Sequence, residues 1–189
     1  MQEHPLIELY ITISDEQQNQ AVENMLSTVN LDNVVLQTLH LAGIAQQIML
    51  TVLITDDEGI REMNQQYRQQ DKPTDVLSFP LLNAPLVQAP ADQLWTPQES
   101  EAGEQAVSEE QPEFVTPPGM VTNLGDIVIS WPTIERQAEQ AGHSAIYELF
   151  YLLSHGVLHL VGYDDHTEAG YQAMVATQEA ALRAVGQKA

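Results

Sequence analysis

Apolar and polar positions nearly alternate over residues 6–13 (Leu-Ile-Glu-Leu-Tyr-Ile-Thr-Ile), with frequent β-branched side chains, and this predicts a strand. Ser14 and Asp15 can cap the polar helical stretch that follows, which runs towards Leu39 with a break near residues 30–33. Val35, Leu39 and Ala42 keep helical spacing, and Gly43 offers a stop. Residues 49–55 form a second strand, after which Asp56 or Asp57 caps a short helix bearing Ile60, Met63, Asn64 and Tyr67. A polar loop over 68–74 leads to a short third strand at 76–79 closed by Pro80; Pro73 biases Lys72 away from helix.

A fourth strand is expected at 124–130. Pro132 suits the start of the next helix and Gly142 its end. Ser144 caps a strongly apolar helix at 145–161 that stops at Gly162. Thr167 begins a last amphipathic helix with Tyr171, Met174, Val175, Leu182 and Val185 on one face. The order β-α-β-α-β-insert-β-α-α-α predicts a single α/β domain over residues 1–189. Its four-stranded sheet should be mixed, because no crossover helix separates the third strand from the fourth.

Residues 81–120 break the pattern. They hold 6 of the 10 prolines and 7 acidic residues with no Lys or Arg, so a weakly ordered insertion is expected there. Leu94, Trp95 and Phe114 are the positions within it that could dock locally.

Composition narrows the function. With 189 residues and 21.0 kDa, one domain is the natural reading. The 27 Asp and Glu against 6 Lys and Arg leave a net charge of -21, which excludes a protein that coats nucleic acid but not an enzyme with a local cationic cleft. The absence of cysteine excludes thiolate metal sites and Cys nucleophiles, so any metal must be held by His, Asp or Glu. The first residues have no apolar signal-peptide core, and no run approaches the roughly 18 apolar residues of a membrane-spanning helix, so a cytoplasmic location is expected.

Two constellations carry chemistry. Three of the six histidines, His155, His159 and His166, fall within 12 residues. His155 and His159 are one helical turn apart on a common face, and Gly162 can turn the chain so that His166 approaches them. Three His with an open fourth position is a catalytic zinc layout. The residue after His155 is Gly156 rather than the Glu that a helix-borne metalloprotease uses as general base, so peptide hydrolysis is disfavoured; Gly156 instead admits close approach of substrate or backbone. The second constellation is Arg61, Arg68 and Lys72, half of the basic residues in 12 positions. Arg61 reads as a solvated helix position. Arg68 and Lys72 suit binding of phosphate oxygens beside a metal, unless Asp71 and Asp75 pair with them locally.

Three blocks resemble the YbeY family of bacterial metal-dependent endoribonucleases. They are Asn64-x-x-Tyr67-Arg68-x-x-Asp71-Lys72-Pro73-Thr74-Asp75-Val76-Leu77-Ser78-Phe79-Pro80, then Leu124-Gly125-Asp126-Ile127-Val128-Ile129, then His155-Gly156-x-Leu158-His159-Leu160-x-Gly162-Tyr163-Asp164 with His166. The resemblance implies an αβα fold, one zinc-like ion per chain held by His155, His159 and His166, and Arg68 as a catalytic cleft residue. It also implies cleavage of single-stranded RNA in 3′-end maturation of small-subunit ribosomal RNA and in ribosome quality control. The chain departs from the family pattern at Asp165, which occupies the register of the third His. His166 is the expected ligand, with Asp165 as an oxygen ligand the alternative. The acidic segment at 81–120 is a second departure. A hydrolase of some other substrate and a non-catalytic ribosome assembly factor are the competing readings.

Overall fold

The computed structural model describes residues 4–97 and 119–188. Strands β1 (Leu6–Thr12), β2 (Ile48–Thr55), β3 (Val76–Pro80) and β4 (Thr122–Ser130) form one sheet in the order β1-β2-β4-β3. β1, β2 and β4 run parallel, and β3 is antiparallel to β4, from Val76 opposite Ile129 to Pro80 opposite Gly125. The sheet is mixed as expected, because β1 reaches β2 through helices α1 (Glu16–Leu26) and α2 (Leu31–Leu41). Pro80 is tolerated at the end of an edge strand, where its missing N–H leaves no gap in an inner ladder.

The remaining helices are α3 (Asp57–Arg68), α4 (Trp131–Ala141), α5 (Ala145–Val161) and α6 (Glu168–Ala184). Asp15, Asn30, Asp56, Ser144 and Thr167 each accept a backbone N–H at a helix start. Successive strand residues face opposite sides. Leu50, Val52, Ile54, Ile127 and Ile129 are buried in the main core with α2 and α5. On the other face Val128 and Leu77 meet Ile60 of α3, with Leu53, Met63 and Phe79 packed around them.

α5 is the pivot of the domain, buried along most of its length and in contact with α2, α4, α6, β3 and β4. Gly156 explains how it lies so close to the sheet: a Cβ there would stand 2.9 Å from the Ile127 side chain of β4. Its lack of bulk thus serves packing of the helix on the sheet rather than substrate approach. Among the described residues no single helix is long and apolar enough to cross a membrane.

Residues 81–97 differ from the expected loose insertion. They form a strap across the C-terminal end of α5. The Leu86 N–H donates to the Val161 carbonyl at 2.8 Å, the Trp95 N–H to the Gly162 carbonyl at 3.0 Å, and Leu94 makes an antiparallel bridge with Tyr163. Val87 is buried, and a one-turn 3₁₀ helix spans Ala91–Gln93. The physical cause is the end of α5, whose last carbonyls lack helical partners and take them from the strap. Gly162, at φ +133°, is where Pro85 and Val87 press on the backbone; a Cβ there would lie 2.4 Å from the Pro85 Cβ. The acidic run at 99–113 and Phe114 lie outside the described residues.

Candidate metal centre

His155 and His159 project from one face of α5 into an open cleft of about 490 Å³, also lined by Arg68, Ser78, Trp95 and Asp165. Their Nε2 atoms stand 3.0 Å apart. Each ring is oriented by its other nitrogen. His159 Nδ1 faces the Tyr163 carbonyl at 2.9 Å. His155 Nδ1 faces Gln178 Oε1 at 3.3 Å, and the Gln178 amide is held that way round by donating from Nε2 to the Tyr151 carbonyl. Both Nδ1 atoms therefore face acceptors, which assigns their protons to Nδ1 and leaves two Nε2 lone pairs pointing at each other.

Asp165 adds a third acceptor group. Its Oδ2 lies 3.8 Å from His155 Nε2 and its Oδ1 3.9 Å from His159 Nε2. Converging lone pairs with no donor between them among the described residues call for a cation. Donors 3.0 to 3.9 Å apart bracket the roughly 3.3 Å that two ligands keep around a tetrahedral ion. The side chains present thus fit a divalent metal, and the rings have the outer-shell acceptors typical of metal-bound His. Burial, and next the neighbouring His155, hold the His159 imidazole below its usual range despite the nearby carboxylates of Asp165 and Asp164. A ring kept neutral in this way is ready to bind a metal.

His166 is placed differently. Its ring is 86% exposed, and Nδ1 pairs with the Asp164 carboxylate. It lines the cleft and groups with Asp164 and Asp165, whereas His155 and His159 group with Asp165.

Arg68 ends α3 and reaches the cleft from the opposite wall, where its Nη2 donates to the Ser78 carbonyl at 3.4 Å. Asp71 pairs with Arg61, Nε to Oδ1 at 2.7 Å and Nη2 to Oδ2 at 3.2 Å, which fixes Arg61 as a partner of the loop. Asp75 accepts from the Val76 N–H at 2.8 Å. Among the described residues no carboxylate forms an ion pair with Arg68 or Lys72, so the local pairing alternative does not hold. Lys72 is exposed on the loop beyond α3, with its carbonyl fastened by the buried Asn64 amide at 2.8 Å, and the structure does not bring it into the cleft.

Three contributors were not singled out from sequence as site residues. Trp95 donates from Nε1 to the His159 carbonyl at 2.8 Å. The Tyr163 carbonyl and Gln178 orient the two imidazoles. Gln178 carries a readable signal, since it is a polar residue on the buried stripe of α6 with Met174, Ala181 and Leu182.

The family model for the endoribonuclease YbeY matches residues 12–186. A Dehalococcoides mccartyi protein named endoribonuclease YbeY is 38% identical over 163 residues, covering 85% of this chain and 89% of that protein. A Moorella thermoacetica protein of the same name is 40% identical over 177 residues, 93% and 96% of the two chains. A solution structure from Thermotoga maritima aligns over 95% of this chain and 91% of its own, at 19% identity and a TM-score of 0.46. The chain belongs to the YbeY endoribonuclease family.

Proposed function

We propose that this chain is a metal-dependent endoribonuclease that cleaves single-stranded RNA, acting in 3′-end maturation of small-subunit ribosomal RNA and in ribosome quality control in the cytoplasm. The observation that carries the reading is the convergence of His155 Nε2, His159 Nε2 and the Asp165 carboxylate in a cleft whose opposite wall holds Arg68. Family membership supports RNA as the substrate class.

Charge supports a metal as well. Among the described residues the cleft is lined by Asp75, Asp164 and Asp165 with Arg68 as the cationic side chain, in a protein of net charge -21. A phosphodiester meets repulsion there unless a further cation offsets the carboxylates. When bound, a divalent ion of the zinc type supplies Lewis-acid polarisation of a phosphoryl oxygen and stabilises developing negative charge.

The chain's own residues do the rest. His155 and His159 would hold the ion through Nε2, each ring kept in register by its Nδ1 partner. Arg68, lightly engaged with Ser78, is positioned to bind a non-bridging phosphate oxygen and stabilise the charge of the pentacovalent state. Lys72, outside the cleft, meets the flanking RNA backbone. Trp95 and Leu82 give the cleft an apolar wall beside the reacting phosphate.

The test is cleavage of a single-stranded RNA carrying an unprocessed small-subunit 3′ end, before and after chelation and metal add-back. Wild type should cut in a metal-dependent way and His159→Ala should not. Chelator-insensitive cleavage would remove the metal from the reaction, and binding without cleavage would make the protein an assembly factor.

A further inference from the structure

We infer that the third protein ligand of the metal is the Asp165 carboxylate, giving a two-imidazole, one-carboxylate set, and that His166 stands outside it. The inference rests on the metal-dependent reading above and assigns the ligands that reading requires. Asp165 directs one oxygen towards each imidazole, Oδ2 to His155 and Oδ1 to His159, and both His Nε2 atoms offer it lone pairs rather than donors. No donor among the described residues hydrogen-bonds to this carboxylate. His166 has its ring nitrogen committed to Asp164, its backbone N–H also donates to Asp164 Oδ1 at 3.3 Å, and its side chain is 86% exposed.

The backbone before Asp165 explains the placement. The Tyr163 N–H donates to the Leu158 carbonyl at 3.0 Å, and the Asp164 N–H donates to the Gln93 carbonyl at 2.9 Å. With Leu94 bridged to Tyr163, residues 163 and 164 are fastened to the end of α5 and to the strap. The next residue, Asp165, is then the one that enters the cleft, and His166 falls on the rim beside the Thr167 cap of α6. Adding a residue of the shorter Asp type between Asp164 and His166 moves the imidazole out and leaves a carboxylate in its place.

The chemical consequence is a harder site. Three neutral imidazoles leave a divalent ion with its full charge, whereas one carboxylate offsets a unit of it. Oxygen donors suit Mn²⁺ better than imidazole does, so this set discriminates less strongly between Zn²⁺ and Mn²⁺ than three His would.

The test is Zn²⁺ and Mn²⁺ affinity of the full chain by chelator competition, with absorption spectra of the Co²⁺-substituted protein, for wild type, Asp165→Asn, Asp165→His and His166→Ala. Circular dichroism and melting confirm that each variant is folded. Asp165→Asn should weaken Zn²⁺ binding on the order of 10²-fold, at or beyond the loss typical of an outer-shell partner, while His166→Ala stays within about threefold of wild type. Asp165→His should keep Zn²⁺ binding tight, widen the preference for Zn²⁺ over Mn²⁺ and alter the Co²⁺ spectrum. Loss in His166→Ala with retention in Asp165→Asn, or equal loss in both, would overturn the assignment and leave the metal-dependent reading standing. Wild type that binds neither ion would overturn that reading itself.

Discussion

The indole of Trp95 donates to the backbone carbonyl of His159 at 2.8 Å, so the strap is fastened to the residue whose imidazole enters the cleft. The bond links an edge of the sheet, through the 81–97 segment, to the helix that carries both histidines. It also turns part of a Pro-rich connection into the cleft wall.

Trp95→Phe removes that donor while keeping an aromatic ring. The His159 carbonyl retains the Gly162 N–H at 3.2 Å, so the expected loss is about 1 kcal/mol in denaturant unfolding. Trp95→Ala should lose more, because it also uncovers apolar surface. Unchanged stability in both variants would show the strap to be loosely held.

Gly156→Ala places a methyl 2.9 Å from the Ile127 side chain, in a buried contact between α5 and β4. Overpacking of this kind typically destabilises by about 1–3 kcal/mol. Metal affinity should fall too, because residue 156 lies directly beside His155 on the helix. Ile127→Val removes the Cδ1 methyl, one of the two that stand 2.9 Å away, and should partly restore the melting temperature of the double variant. A Gly156→Ala protein as stable as wild type would contradict the packing account.

Much of this frame is legible in the sequence. Asp15, Ser144 and Thr167 cap helices where their side chains and the apolar periodicity place them, and Gly142 ends α4 with φ +75°. These are local effects, decided within a turn of chain. Of residues 81–97 only the docking positions Leu94 and Trp95 were legible; the path of the strap was not, because its order comes from carbonyls at the end of α5, far away in sequence. The positions of His166 and Asp165 depend on how Gln93 and Leu94 hold residues 163 and 164, and no spacing rule contains that contact. The Arg61–Asp71 pair was not legible for the same reason: the sequence reads Arg61 as a solvated helix position and Asp71 as a partner for Arg68 or Lys72, and only the helix orientation brings Arg61 to the carboxylate.

In the metal-free protein, the depressed affinity of His159 for protons makes stability depend on pH. Below about pH 6.5 the unfolded chain takes up a proton that the folded chain resists. Stability should therefore be fully present above that value and decline as the pH falls, until the folded-state ring itself titrates. Denaturant unfolding of chelator-treated wild type at about pH 7.5 and about pH 5.5 should show the decline, and His159→Gln should show less of it. Equal declines in both proteins would place the proton uptake elsewhere.

Arg68→Ala should lower RNA cleavage on the order of 10²-fold, the usual effect of losing one donor to a developing oxyanion. Metal content and melting temperature should stay close to wild type, because among the described residues Arg68 has only a 3.4 Å bond to Ser78 to lose. Arg68→Lys should recover part of the activity, since a point-like ammonium lacks the planar fork. Cleavage unaffected in Arg68→Ala would take this residue out of the mechanism.

Elemental analysis of the purified full chain, prepared without chelators, beside His155→Ala and His159→Ala, reads the metal centre itself. Wild type should carry about one tightly held divalent ion per chain, and both variants should lose nearly all of it. No metal in wild type, or full occupancy in His159→Ala, would contradict the metal centre.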